Sequence, residues 1–161
     1  MKDKLLLIED DEQLAEAITS YFEIKGYVIE KALTAQSALA HLNKKDFSLI
    51  LLDLTLPDED GLVLLRKIKQ RYDIPIIITS GRIESEQRIA GLEIGAEDFV
   101  CKPFIIRELE LRIQALIKRA KQIVKSDKHL SFCQYFIDDQ SKQIKNLENI
   151  EVAFTPLEYQ I

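Results

Sequence analysis

Runs of consecutive apolar residues, each broken at once by polar or charged ones, set the rhythm of this chain. Leu5-Leu6-Leu7-Ile8 gives way to Glu9-Asp10-Asp11, and Leu49-Ile50-Leu51-Leu52 to Asp53. Ile74-Pro75-Ile76-Ile77-Ile78 ends in Thr79-Ser80, and Phe99-Val100-Cys101 in Lys102-Pro103. Unbroken apolar runs of this length are what strands covered on both faces require. Strands are therefore expected at Leu5–Ile8, Leu49–Leu52, Pro75–Ile78 and Asp98–Cys101, with a half-exposed, alternating strand at Tyr27–Ala32. Between them the apolar spacing changes to that of a helix. Glu12–Lys25 carries Leu14, Ile18, Tyr21 and Phe22 and stops at Gly26; Ala35–Asn43 carries Ala35, Ala38, Leu39 and Leu42 behind a Thr34 cap. Gly61 to about Arg71 follows an Asp60 cap, Glu84–Ile94 closes at Gly95, and Ile105 to about Lys125 buries Leu109, Ile113, Leu116, Ile117 and Val124. Asp11 reads as a helix cap or first-turn acid in preference to a metal ligand.

Strands alternating with helices in this order predict an α/β domain. Its parallel sheet is covered on both faces and joined by right-handed crossovers, with a topological switch point beside the first strand. Ligands bind such a sheet at the carboxyl ends of its strands, and the switch point brings Glu9 and Asp10 next to Asp53. Carboxylates crowded in this way repel one another unless a cation holds them, and hard oxygen donors predict Mg²⁺. With the hydroxyls Thr79-Ser80 and an ammonium at Lys102 on the same rim, the set reads as a phosphoryl-transfer site.

Composition narrows the setting. The 161 residues are 47% hydrophobic and 30% charged, with net charge -5, which argues against non-specific nucleic-acid binding by the whole chain. No apolar stretch approaches the ~20 residues that span a bilayer, and the one after Lys4 is too short for a signal peptide, so a cytoplasmic location without membrane contact is expected. Cys101 and Cys133 lack metal or redox spacing and are expected to be reduced; His41 and His129 have no partner at ligand spacing.

The order Glu9-Asp10, Asp53 with Pro57 and Asp60-Gly61, Ser80, Gly95-Ala96-Glu97-Asp98-Phe99 and Lys102-Pro103-Phe104 resembles the receiver domain of two-component response regulators. The resemblance implies a flavodoxin-like, CheY-like (βα)5 fold and a phospho-accepting switch in place of an enzyme with turnover. It implies that Asp53 takes a phosphoryl group from a phosphohistidine on a sensor histidine kinase. Mg²⁺ would be held by Glu9, Asp10, Asp53 and the backbone carbonyl of Thr55, and Lys102 would pair with a phosphoryl oxygen. Ser80, five residues after Pro75, would then bond the phosphoryl group, leaving Thr79 to point the other way. Phe99 would rotate into the space vacated, on ring packing alone, since relatives often carry Tyr there. Lys102-Pro103 would be cis. Thr55 and Arg82 are expected to tune hydrolysis, and Asp58 and Glu59 to be solvated loop charges.

Further resemblance is to the OmpR/PhoB-like branch, with winged-helix effector domains. There Arg88, Glu97, Asp98, Glu108, Arg112 and Arg119 would form a self-complementary face. Arg88 would pair with Glu108, and Glu97 and Asp98 with Arg112 and Arg119, across a phosphorylation-dependent homodimer. Composition shifts after Lys125. Leu130–Ile137 and Gln143–Phe154 read as short strands around Asp138-Asp139-Gln140-Ser141, and Thr155-Pro156-Leu157-Glu158 as a capping box opening a helix. The expected organisation is a receiver over 1–125, a linker over 126–130, and over 131–161 a β-rich N-terminal fragment of a winged-helix domain. On that reading the chain is a truncated regulator that contacts DNA only through the missing C-terminal region. A haloacid-dehalogenase-type hydrolase would need Asp-x-Asp-x-Thr after the first strand, which Glu9-Asp10-Asp11 does not supply. A flavodoxin-type cofactor site would meet repulsion from the same acids.

Overall fold

The computed structural model describes residues 2–81, 85–126, 129–132, 135–138 and 143–146, with side chains through 122. Five strands and five helices alternate: β1 (Lys4–Ile8), α1 (Glu12–Ile24), β2 (Val28–Ala32), α2 (Ala35–Leu42), β3 (Leu49–Asp53), α3 (Gly61–Lys69), β4 (Ile76–Ser80), α4 (Ser85–Ile94), β5 (Asp98–Cys101) and α5 (Ile106–Ser126). The strands pair in parallel in the order β2-β1-β3-β4-β5. This is the doubly wound, CheY-like sheet expected.

Alternation along the strands sorts the core into two layers. Leu6, Ile8, Ile50, Leu52, Ile76, Ile78 and Phe99 meet Ala35, Ala38, Leu64, Leu65 and Ile68 of α2 and α3 on one face. Leu5, Leu7, Leu49, Leu51, Ile77 and Val100 meet Ala15, Ile18 and Phe22 of α1 and Leu109, Ile113 and Ile117 of α5 on the other. Because both faces are covered, every residue of β3 and of β4 is buried. The helix ends follow local chemistry. Asp11 accepts the N–H groups of Gln13 and Leu14, Thr34 that of Ser37, and Asp60 those of Leu62 and Val63. Gly26 and Gly95 follow α1 and α4 with φ of 89° and 118°, where a side chain is unfavourable.

The chain divides into two compact units, Met1–Ile117 and Lys118–Ile161. The second holds a three-stranded antiparallel sheet of β6 (His129–Phe132), β7 (Tyr135–Asp138) and β8 (Gln143–Asn146). Two expectations change here. Leu130–Ile137 is not one strand but two, with Phe132 opposite Tyr135 and His129 opposite Asp138. No Gly, Asn or Asp at the reversal announces it. The linker expected over 126–130 is largely absorbed, since α5 reaches Ser126 and β6 begins at His129. The remainder of the Gln143–Phe154 strand and the capping box at Thr155 lie outside the described residues.

One contact near the carboxyl edge constrains substitution. Gly61 N–H donates to the Leu54 carbonyl at 3.0 Å, and a Cβ added at Gly61 would stand 2.4 Å from Leu54 Cα and 2.9 Å from the Asp53 carbonyl oxygen. Backbone has nowhere to retreat there. Gly61→Ala is expected to destabilise the domain by about 2 kcal/mol in urea unfolding, the scale of core overpacking; a loss below ~0.5 kcal/mol would show that the loop yields freely.

Candidate functional site

The strand order reverses at β1, whose neighbours are β2 and β3. Ile8 lies opposite Leu52, so the residues that follow, Glu9 and Asp53, emerge side by side. Both are nearly enclosed, at 1% and 4% exposure, whereas Asp10 stands exposed on the rim. Ligand oxygens of Glu9, Asp10 and Asp53 lie within 4.8 Å of one another. Lys102, just past β5, turns its ammonium into this group. Its Nζ donates to Asp53 Oδ2 at 2.5 Å and to the two Glu9 oxygens at 2.6 and 2.8 Å. Asp53 Oδ1 accepts the Thr55 N–H at 2.9 Å, so both of its oxygens are oriented. The Lys102-Pro103 bond is cis.

Burial pushes the Glu9 carboxyl up to about 7; the neighbouring Lys102 opposes the shift and the charge of Asp53 adds to it. Burial alone would lower Lys102, but its hydrogen bonds to Asp53 and Glu9 outweigh that and raise it above its ordinary value. Among the described residues, one ammonium thus answers two enclosed carboxylates and a third on the rim. The imbalance, and a donor set made only of oxygens, suit a hard divalent cation such as Mg²⁺.

Ser80 closes β4, one residue past Thr79, the ladder partner of Asp53, and its carbonyl accepts the Lys102 N–H at 2.8 Å. Thr79 and Ser80 are both buried, and alternation sends them to opposite faces of the sheet. Phe99 lies opposite Ile78 and is 6% exposed, so its ring already packs inward with the α2–α3 layer. Arg82 lies outside the described residues.

The charged face expected to pair between copies is partly engaged within the chain. Arg112 donates to Asp98 at 2.7 Å and to Glu108 at 2.6 and 3.1 Å. Glu97 is exposed but engaged within its own chain: its Oε2 accepts the Ile76 N–H at 2.6 Å and its Oε1 the Lys69 ammonium at 2.8 Å. Arg88 and Arg119 are exposed and make no ion pair with a described residue; Arg119 falls in the second unit.

Some contacts have no signal in the sequence pattern. Asp58 is no free loop charge, for its carboxylate accepts the N–H groups of Ala35 and Gln36 at 2.9 and 3.0 Å. Those amides, Gln36 first, hold its carboxyl below the ordinary value. Glu59 pairs with Lys67. Glu110, 2% exposed on α5, accepts the Tyr21 hydroxyl of α1 at 2.6 Å and Arg107 at 2.5 Å. Ile89 and Leu92 on α4 and Leu111 on α5 are exposed apolar residues.

A sheet of this topology, with acids at its switch point and a lysine following its last strand, defines a receiver-type α/β domain. The response regulator receiver domain family matches residues 5–114, and the chain belongs to it. The chain is 37% identical over 159 residues to the transcriptional regulatory protein PmrA of Pectobacterium parmentieri, covering 98% of this chain and 70% of that protein. It is 41% identical over 117 residues to the transcriptional regulatory protein BasR of Escherichia coli, covering 72% of this chain and 53% of that one. The chain therefore spans about half the length of BasR. Among solved structures, the Francisella response regulator 1452 receiver domain matches with TM-score 0.70 and 35% identity, over 74% of this chain and 99% of that one. A CheY-like receiver domain protein from Methanospirillum hungatei JF-1 matches with TM-score 0.73 and 29% identity, over 76% of this chain and 98% of that one. Among the described residues no helix is long and apolar enough to cross a membrane.

The raised Glu9 carboxyl sets a pH dependence. The folded chain holds this proton more tightly than the unfolded one, so stability from this group is present below the ordinary value of 4.5 and is lost as pH rises through about 7. Urea unfolding in EDTA between pH 4.5 and 8 is expected to show this fall, amounting to a few kcal/mol at most. Glu9→Gln should flatten it, and an unchanged slope in that variant would contradict the assignment.

Proposed function

We propose that this chain is a phospho-accepting switch in which Asp53 takes a phosphoryl group from a sensor histidine kinase. The observation that carries the reading is the Lys102 ammonium shared between Asp53 and Glu9, which leaves an oxygen-lined cluster with excess negative charge. An Asp53 oxygen attacks the phosphorus of phosphohistidine; the P–N bond breaks, its electron pair returns to the imidazole nitrogen, and an aspartyl phosphate remains. Thr55 N–H fixes the carboxylate's rotation, and Lys102 moves from Asp53 to a phosphoryl oxygen as charge spreads over the transferring group. Glu9, Asp10, Asp53 and the Thr55 carbonyl would hold Mg²⁺, whose contribution there is neutralisation of phosphoryl-oxygen charge. Ser80 then bonds the phosphoryl group. Since Phe99 is already inward, the aromatic part of the switch acts by holding that packing, not by an inward swing.

Phosphorylation promotes a homodimer through the α4-β5-α5 face. Support comes from α4 and α5 flanking the edge strand β5 on opposite layers, with Ile89, Leu92 and Leu111 exposed there and Arg88 unpaired among the described residues. Asp98, Glu108 and Arg112 form a ready ion-pair cluster that can re-partner across the axis, whereas Glu97 stays committed to its own chain. We assign 1–125 to the receiver and 131–161 to the start of a winged-helix effector domain, with gene regulation in the cytoplasm, through DNA contact by an effector of that type, as the output. The transcriptional regulators to which the chain is similar support this.

Intact-mass measurement after acetyl phosphate with Mg²⁺ is expected to show one phosphoryl adduct in the wild-type chain and none in Asp53→Asn; an adduct that survives in the variant refutes the acceptor assignment. Size-exclusion chromatography of the phosphorylated chain should show dimer, and Ile89→Lys should return it to monomer while leaving adduct formation intact. A dimer insensitive to Ile89→Lys would move the interface elsewhere.

A further inference from the structure

The loop between β3 and α3 carries Asp53's neighbour Thr55 and is tied down on two sides. At α3, Gly61 N–H holds the Leu54 carbonyl at 3.0 Å and Thr55 bridges to Asp60. At α2, Asp58 offers one oxygen to the Ala35 N–H at 2.9 Å and the other to the Gln36 N–H at 3.0 Å. The first N–H groups of a helix have no partner within it, and a carboxylate there also meets the positive end of the helix dipole. Thr34, the helix's own cap, reaches only Ser37 N–H, at 3.1 Å. A side chain from the next loop therefore completes the start of α2.

That contact joins the two halves of the acid cluster. The turn leading into α2 follows β2, and the carbonyl of Ala32 at the end of β2 accepts the Glu9 N–H at 3.0 Å. β2 and β3 flank β1. Asp58 thus ties the segment bearing Asp53 and Thr55 to the segment that holds the backbone of Glu9. We propose that Asp58 is a positioning residue that fixes the separation of the two acid-bearing loops and so sets the affinity of the site for a divalent cation. This rests on the acceptor reading above. Asp58 touches no reacting atom; it acts through Thr55, whose amide orients Asp53 and whose carbonyl faces the cation in that reading.

The test is a MgCl₂ titration of the unphosphorylated 161-residue chain, followed by backbone amide NMR, together with the rate of adduct formation from acetyl phosphate at limiting Mg²⁺. The Asp58 side chain is exposed, so Asp58→Ala leaves the core intact. That variant is expected to bind Mg²⁺ about fivefold more weakly and to shift the Thr55 amide resonance before any Mg²⁺ is added. Asp58→Asn, which keeps one acceptor oxygen, should recover part of the affinity. Thr34→Ala serves as the control: it weakens the start of α2 without releasing the loop and should leave Mg²⁺ affinity within about twofold. Mg²⁺ affinity unchanged in Asp58→Ala, or lowered equally in Thr34→Ala, overturns the role of Asp58 alone. A wild-type chain without Mg²⁺-dependent shifts removes the acceptor reading and this inference with it.

Discussion

The rest of the structure depends on an imbalance of charge at the sheet's switch point. Two carboxylates, Glu9 and Asp53, are taken almost wholly out of water at the ends of adjacent strands, and among the described residues a single ammonium faces them. Withdrawing an ion from water costs several kcal/mol unless partners compensate. Asp53 is compensated at both oxygens, by Lys102 and by the Thr55 amide; Glu9 shares the same lysine and holds its proton unusually tightly. A fold that needed only stability would place Leu or Met there. The hydrophobic strands beneath supply the rigidity that keeps these like charges together.

From this point contacts lead outward without a break. The Lys102 amide bonds the carbonyl of Ser80, which joins the end of β4 to the segment leaving β5. Phe99 and Asp98 lie on that same β5, the first in the core and the second bonded to Arg112 of α5. The segment that carries Lys102 is thus bonded to the backbone of β4 and lies one short strand from an ion pair on the surface. On the opposite side, Asp58 carries the β3–α3 loop to α2.

Reading the sequence succeeded where the cause of a structure is local. Apolar runs such as Leu49–Leu52 are strands because burial on both faces removes any need for alternation, and Asp11, Thr34 and Asp60 cap helices because the amides they accept lie two or three residues on. The acid cluster was legible for a related reason: a parallel sheet with a switch point leaves little choice about which strand ends meet. What was missed depends on side chains separated along the chain. Asp58 finds amides more than twenty residues back, Tyr21 finds Glu110 across 89 positions, and Glu97 bonds Lys69 and Ile76 of its own chain. Charge type alone carries no direction. The reversal between Phe132 and Tyr135 was hidden because the residues there are not those that favour tight turns.

The sheet has two open borders, β2 and β5, each hydrogen-bonded on one side only. β2 places Glu30 among Lys4, Lys45 and His41, with Lys31 beside it held by Glu16. β5 is four residues long and is clasped at its start by Arg112. Short or heavily charged borders discourage a stray strand from annealing to them. Continuing the sheet from one copy into another is thereby disfavoured, and any contact between copies would fall to helical surfaces, whose contacts can be made and undone without unravelling a ladder.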